Sequence, residues 1–466
     1  MYGGRRVRRT RVTGAAAAAA ALAAIAWLVL SGGAAAPAGG TTTPPIHHVV
    51  VILQENHSFD NVLGQLCAKE KPATCKFATS GKNKKGETIP LSVAEDKVPP
   101  VAHGQEAQLT AMNKGKMNGF EQVGGCEERQ CYTQFGEEHV KNLWEMARRG
   151  AIGDHFFSRD IVPSWGGHLD FFAQTLDGFV GNNPKFVDEG QGKGPGWGCD
   201  SHDEAEWIAP GGEIKMEPSC VPDKEGHGAF KETPVSYVPT VGDRIEEAGL
   251  TWGIYAAQPG EQEGSKEERE NAGPYKWAIC PTFAECLDGS QKKDMHEAKQ
   301  LFSDAETGNL PNFAILTPTT VTGGTSQHNG TSMGLGDEYI AKEVKAIQEG
   351  PDGASTTIFI YYDDCGCFYD HVKPPVAGLG IRLPLVIVSP YAKPGFVDKD
   401  VATNSSILAY MESVLHVAPV DELDATAYNF SKAFNYKQKP TEPFTLRQDE
   451  VPPADRHLPP PPPDDT

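Results

Sequence analysis

The sequence predicts an α/β protein built on a mostly parallel central sheet, with helices on both faces and long insertions in its loops. Short, β-branched, uninterrupted apolar runs recur, above all residues 49–53 and 356–362, and both stop at acidic residues. Strands buried on both faces of a parallel sheet read this way. Between such runs lie stretches of helical period, as in residues 138–149, where Val140, Leu143, Trp144 and Met146 share one apolar face. Gly (50) and Pro (36) are abundant, which marks many long connections. At 466 residues and 39% apolar, the chain can bury a sizeable core in one large domain or two smaller ones.

The first 38 residues read as a segment apart from the fold. Arg5, Arg6, Arg8, Arg9 and Arg11 precede an Ala-rich apolar run over 14–30, and Ala36-Pro37-Ala38 follows. A basic start, an apolar middle and a small-residue end are the pattern of a secretory signal, and the paired arginines fit a twin-arginine route. The alternative is an uncleaved membrane anchor, for which the run is short and only weakly apolar. The formal charge is −20, from 62 acids and 42 bases, and removing residues 1–38 takes away five arginines and no acid, leaving −25. Such a surface repels the phosphates of nucleic acid, which excludes a DNA or RNA partner from the expectation. A small phosphorylated substrate stays open, because a bound metal reverses the field locally. Ten cysteines fit an exported, secreted or periplasmic protein. Cys67/Cys75, Cys126/Cys131, Cys199/Cys220 and Cys280/Cys286 are close in sequence and sit in polar, loop-like text, as disulfide pairs do in an oxidising compartment. Cys365 and Cys367 are one residue apart, a spacing that strains a disulfide.

The first strand, over 49–53, ends at Gln54-Glu55-Asn56. In open α/β sheets ligands sit just beyond the carboxyl ends of strands, and an acid beside an amide offers oxygens to a hard cation. Taken alone the pair also suits the start of a surface loop. The longer string VVVILQENHSFDNVLG, however, resembles the opening signature of the bacterial-type phospholipase C and acid phosphatase phosphoesterases, a branch of the alkaline-phosphatase-like superfamily. Glu55, Asn56, Ser58, Phe59 and Asp60 match; His57 stands where the pattern commonly has Arg.

Residues 65–100 read as an excursion, followed by His103 and a helix near 105–112. Here the family often carries a His before a helix and a Gly-Phe after it, as in Asn118-Gly119-Phe120. By that resemblance His103 is a candidate site residue; otherwise it is a solvated surface His. The helix over 138–149 comes next, then Pro163-Ser164-Trp165-Gly166-Gly167-His168. A hydroxyl at a helix N-terminus faces free N–H groups and the positive dipole end, where a phosphoryl oxygen is well held. An ordinary N-cap is the alternative for Ser164. The family places a Ser a few residues before a His that opens a helix, which implies a nucleophile at Ser164 and a site role for His168. Gly166-Gly167 departs from its usual Pro-Asn.

Residues 185–235 lack periodicity and read as a surface insertion. Strands are expected over 251–256 and 312–316, with a charged excursion over 259–271 between them. Related proteins place a His in the loop after the second, ahead of a helix like 337–348, which makes His328 a candidate. The run 356–362 ends in Asp363-Asp364, two carboxylates that repel unless a cation or proton relieves them. An acidic surface turn would also read so. Asp363-Asp364-Cys365-Gly366-Cys367-Phe368-Tyr369-Asp370-His371 resembles the family segment of two acids, Gly-Gly-Phe and Asp-His, with Cys367 in place of the second Gly. That implies ligands at Asp363 and Asp364 and a site role for His371. A strand over 383–391, a helix over 405–414 and an extended Pro-rich tail over 441–466 complete the chain.

The resemblance thus implies an alkaline-phosphatase-like catalytic domain over 39–440. It implies an exported metal-dependent phosphoesterase in which Glu55, Asn56, Asp363 and Asp364 bind a divalent ion. By the same resemblance Ser164 would attack phosphorus to form a phosphoserine, and His103, His168, His328 and His371 are candidates to bind phosphoryl oxygens or protonate the leaving group. Oxygen ligands favour Mg²⁺, Ca²⁺ or Mn²⁺ without excluding Zn²⁺. The expected partner is a small phosphate ester or a phospholipid, with membrane contact through the substrate or an uncleaved anchor. Longer family members carry extra C-terminal domains for which this chain has no room, which tilts the expectation from phospholipase C to acid-phosphatase-like activity. An inactive extracellular binding protein is the alternative of another class.

Overall fold

The computed structural model describes residues 44–71, 73–187, 194, 196–257, 276–318 and 325–447. The basic leader, the charged excursion over 259–271 and the tail from 448 onward lie outside them. Four elements follow the sequence closely. The first strand, β1, is His48–Gln54, and its burial is complete from Val49 onward. Helix α1 is Gln105–Met112. Helix α2 is Lys141–Arg149, three residues shorter at its start than its apolar period suggests, with Asp337 accepting from the N–H groups of Asn142 and Leu143. Helix α3 is Ser164–Ala173. Strand β2, Ala151–Gly153, precedes α3. Then come β3 (Trp252–Ala256), β4 (Met295–Glu297), β5 (Phe313–Leu316), α4 (Met333–Glu349), β6 (Thr356–Tyr362), β7 (Leu385–Val388), β8 (Phe396–Asp398) and α5 (Asn404–Leu415).

The fold is α/β. Eight strands form one sheet in the order β4-β3-β5-β1-β6-β7-β2-β8. Neighbours run parallel from β4 through to β6, and β2 runs parallel to β8; only β7 is antiparallel to both its neighbours. Strands β1 and β6 sit at the centre and are buried throughout, apart from the half-buried His48. Each fully buried Val or Ile there is worth about 1.5–3 kcal/mol, so a slip in register that exposed them would be costly. Their register pairs His48 with Thr356 and Gln54 with Tyr362. The two strands therefore finish level, and Glu55-Asn56 emerges beside Asp363-Asp364.

The 185–235 segment is not without structure. Lys185–Phe186, Asp203–Ile208 and Ile214–Pro218 form a small antiparallel sheet. Charged residues on these short strands hide the alternation. Disulfides join Cys67 to Cys75, Cys126 to Cys131, Cys199 to Cys220 and Cys280 to Cys286, while Cys365 and Cys367 are free and buried. Among the described residues no helix is long and apolar enough to cross a membrane.

One buried acid in α5 has a measurable consequence. Burial first, then its hydrogen bond to Asp424 and that residue's charge, push Glu412 up from 4.5 to about 9. Its Oε1 has no hydrogen-bond partner. Because the folded value exceeds the unfolded one, the stability it contributes is full below pH 4.5 and is lost as pH rises toward 9. Glu412→Gln is expected to raise the thermal midpoint by about 1–3 °C at pH 9 and to leave it unchanged near pH 4. An equal shift at both pH values would contradict this reading.

Candidate active site

The carboxyl ends of β1 and β6 carry four acidic or amide side chains, and all four are buried: Glu55, Asn56, Asp363 and Asp364. Asn56 leaves the strand at φ 61°, a left-handed conformation that Asn tolerates better than most residues. The turn aims its N–H at Asp363 Oδ1, 3.0 Å away. Gly366 (φ 54°) supports the contact, since a Cβ there would stand 2.1 Å from the Asn56 carbonyl oxygen. Its N–H donates to Asp364 Oδ1 at 2.7 Å. Cys367, in the place of a family Gly, keeps the left-handed backbone at φ 50°, which costs a side-chain-bearing residue about 1 kcal/mol.

Ser164 opens α3 and is fully buried. It does not act as the helix cap: Pro163 holds that position, and the Trp165 N–H is taken by Asn183 Oδ1 at 2.9 Å. The Ser164 hydroxyl instead donates to Glu55 Oε2 at 3.1 Å and lies 3.4 Å from Asn56 Oδ1. Gly167 makes this approach feasible, because a Cβ there would meet the Asp363 carbonyl oxygen at 2.9 Å. One turn on, His168 Nε2 lies 3.2 Å from Glu55 Oε1. Burial pushes this ring down to about 4, so at neutral pH it carries a lone pair rather than a charge. Glu55, His168 and Asp363 each bring one ligand atom into a group within 4.8 Å of one another, a geometry that could hold a metal ion.

His103 and His328 approach the Asn56 amide from the other side. His103 Nδ1 donates to the Val101 carbonyl at 2.9 Å, and His328 Nδ1 to that of Asn329 at 3.0 Å. In the neutral rings both Nε2 atoms are then acceptors, each 3.0 Å from the same terminal atom of the Asn56 amide. With both rings neutral that atom is the NH₂, donating to each; with the oxygen there instead, both rings would donate to it. The amide oxygen faces the acids: it lies 2.9 Å from Asp363 Oδ1, 3.2 Å from Glu55 Oε2 and 3.3 Å from Asp364 Oδ2. Oxygens so packed repel, and a cation among them removes the conflict. With both rings protonated the amide would turn over and its nitrogen would donate to the acids instead. The donor set fits a divalent ion on these grounds.

The remaining residues lie apart from this group. His371 Nδ1 is 2.5 Å from Asp60 Oδ2, in a second cluster with Asp370. Burial opposes the charge on this ring, but the hydrogen bond and charge of Asp60 prevail and hold its pKa above the usual value. His57 is buried with Nδ1 on Asn61 Oδ1 (2.7 Å) and Nε2 on the Gln327 carbonyl (2.8 Å), and its ring stacks on Phe368. Sequence reading missed the supports: Asn183 under the helix start, Asn329 donating to Val101 O beside His103, and Arg382. Asn183 and Asn329 sit in no periodic or chemical pattern that would single them out.

A model of the phosphoesterase family matches residues 46–418. The non-hemolytic phospholipase C of Burkholderia pseudomallei is 25% identical over 227 residues, which is 37% of this chain and 31% of that protein. Phospholipase C B of Mycobacterium tuberculosis is 22% identical over 285 residues, 50% of this chain and 49% of the relative. The matched stretches thus span 31% to 49% of the length of these relatives. Among solved structures, a protein in the alkaline phosphatase superfamily from Vibrio parahaemolyticus superposes over 81% of this chain and 68% of its own at a TM-score of 0.37 and 11% identity. The phosphonate monoester hydrolase of Agrobacterium radiobacter does so over 80% and 74% at 0.34 and 9%.

Proposed function

The chain belongs to the phosphoesterase family, and from that premise we propose that it hydrolyses phosphate esters through a serine nucleophile, Ser164, in a divalent-metal site. The observation that carries the reading is the position of the Ser164 hydroxyl. It is buried at a helix N-terminus with its proton on Glu55 Oε2 and an amide oxygen 3.4 Å away.

A divalent ion bound by Glu55, Asn56, Asp363 and Asp364 would lower the hydroxyl pKa and offset charge on the phosphoryl group. Ser164 Oγ forms the bond to phosphorus, in line with the bond to the leaving oxygen, which breaks. Glu55 Oε2 is placed to take the hydroxyl proton. Of His103 and His328, the ring protonated at Nε2 donates to a phosphoryl oxygen and gives the leaving oxygen its proton, while the neutral ring keeps the Asn56 NH₂. Water then displaces Ser164 from the phosphoserine and releases the phosphoryl product. His168 lies close enough to Glu55 and Asp363 to join the ligands. An imidazole in the set would shift the preference from Mg²⁺ or Ca²⁺ toward Mn²⁺ or Zn²⁺. The helix start must stay against Asp363 for this to work. Gly167→Ala is expected to lower kcat on p-nitrophenyl phosphate between about ten- and a hundredfold, because the new Cβ displaces the helix. An unchanged kcat would show that the helix has room.

The substrate class has two readings. The motifs are shared by acid-phosphatase-like monoesterases, the first reading, and by phospholipases C. The names of the relatives favour the second, a phospholipase C that releases a phosphorylated head group. The Arg- and Ala-rich leader together with four disulfides supports export. Parallel assays on p-nitrophenyl phosphate, p-nitrophenyl phosphorylcholine and phosphatidylcholine vesicles, each with and without chelator, test both. Chelator-sensitive turnover of the monoester supports the first reading, and of the choline esters the second. No turnover on any of them, over several metals and pH values, would favour a binding protein instead.

A further inference from the structure

We propose that Arg382 is a positioning residue that holds the two ligand-bearing loops at the separation a metal ion requires; this rests on the metal-site reading above. Arg382 is fully buried, and every arm of its guanidinium is engaged. Nε lies 3.1 Å from both carboxylate oxygens of Asp370. One terminal nitrogen donates to Asp60 Oδ1 at 3.2 Å; the other donates to Asp154 Oδ1 and to the Lys76 and Asp154 carbonyls, each at 3.1 Å. The Phe59 ring lies under it at 4.0 Å.

The partners place this clasp. Asp60 lies in the short helix Phe59–Val62 just after Glu55-Asn56 and β1, and Asp370 follows Asp363-Asp364 on the loop after β6. The loops also bind each other: Asp60 N–H donates to Asp370 Oδ2 at 3.0 Å, and His371 N–H to Asp60 Oδ2 at 2.9 Å. Together with the Asn56 N–H on Asp363, they are therefore pinned at two points, one inside the ligand group and one beyond it. The Arg382 backbone reaches the third component. Its carbonyl accepts from Phe59 N–H, and Arg382 forms an isolated antiparallel bridge with Phe157, ahead of Ser164 in the chain. Two loop carboxylates so close would part without a cation between them, and a planar donor fork suits the pair as an ammonium does not. Arg382 shares its carboxylates with the group of Asp60, Asp370 and His371 that could itself hold a metal, and its presence makes that group a charge clasp.

Groups that support metal ligands usually alter affinity by about 10–100-fold when replaced. Calorimetric titration of the chelated protein with Mn²⁺ should thus give a dissociation constant raised about tenfold or more in Arg382→Lys and in Asp370→Asn. Asp370→Asn keeps the side-chain shape and carries the test if Arg382→Lys does not fold. Asp243→Asn is the control: it removes a buried helix cap elsewhere, at Thr240, and should lower the thermal midpoint while leaving Mn²⁺ affinity unchanged. Wild-type affinity in the folded variants would overturn the positioning role and leave the metal site standing. Loss of affinity in Asp243→Asn equal to theirs would also overturn it, because general destabilisation would then explain all three. A wild-type protein that binds none of Mn²⁺, Mg²⁺ or Zn²⁺ would remove the metal-site reading and this proposal with it.

Discussion

Replacing Ser164 with alanine should reduce phosphate-ester hydrolysis by about a thousandfold or more and leave the fold intact. The size follows from the role: the covalent step has no other hydroxyl at the helix start, and Gly166 and Gly167 beside it offer none. The fold should survive because the hydroxyl caps nothing. Trp165 N–H keeps Asn183, and the lost hydrogen bond is one to Glu55. Glu55 keeps His168 Nε2 3.2 Å from its other oxygen, and one hydrogen bond to a charged group contributes about 1.5–3 kcal/mol, a loss that a bound cation would reduce. The kinetic signature separates this reading from a binding role for Ser164. A nucleophile should affect kcat far more than KM, whereas a serine that merely contacts substrate should raise KM. Residual hydrolysis within tenfold of wild type would remove Ser164 from the chemistry.

Asp363→Asn should act on the metal and should carry an opposite sign in its absence. Asp363 is central to the group: its oxygens face the Asn56 N–H, the Asn56 amide oxygen and, through the ligand group, Glu55 and His168. Losing this charge should weaken divalent-ion binding by at least about a hundredfold, more than the loss of any supporting residue, and take the chelator-sensitive activity with it. Without metal, the wild type keeps acids crowded in a buried site, and removing one relieves their repulsion. The apo variant should therefore melt at or above the apo wild type, while the rise in midpoint on adding Mn²⁺, seen in wild type, should disappear. A variant that melts lower without metal and still responds to it would mean that Asp363 is structural.

The centre of the sheet was the most legible part of the sequence. Strands β1 and β6 are long, β-branched and buried on both faces, so nothing in their composition competes with the strand reading. The acids at their ends were equally plain, and the register of the two strands is what makes neighbours of them. Short elements were lost. β2 and β8 have three residues each, too few for a period, and charged residues interrupt the apolar pattern on the two- to six-residue strands of the small antiparallel sheet in the insertion. The histidines show where a motif stops informing. His103 and His328 meet at one amide although they are far apart in the chain, and only family resemblance pointed to both. His371 follows the Asp363-Asp364 segment closely in sequence, yet its ring turns to Asp60. Arg382 gave no signal at all. Its carboxylates come from three separate segments, and a lone Arg in a loop looks like surface until the chain is folded around it.

The central claim is that Ser164 forms a covalent bond to phosphorus. The most direct measurement is an acid quench of the enzyme during turnover of a slow substrate, followed by peptide mass spectrometry. One phosphoryl group, or its head-group ester, on the peptide containing Ser164, lost in Ser164→Ala, is the predicted result. An active enzyme that shows no such adduct under any quench, or carries it on another residue, would contradict the account.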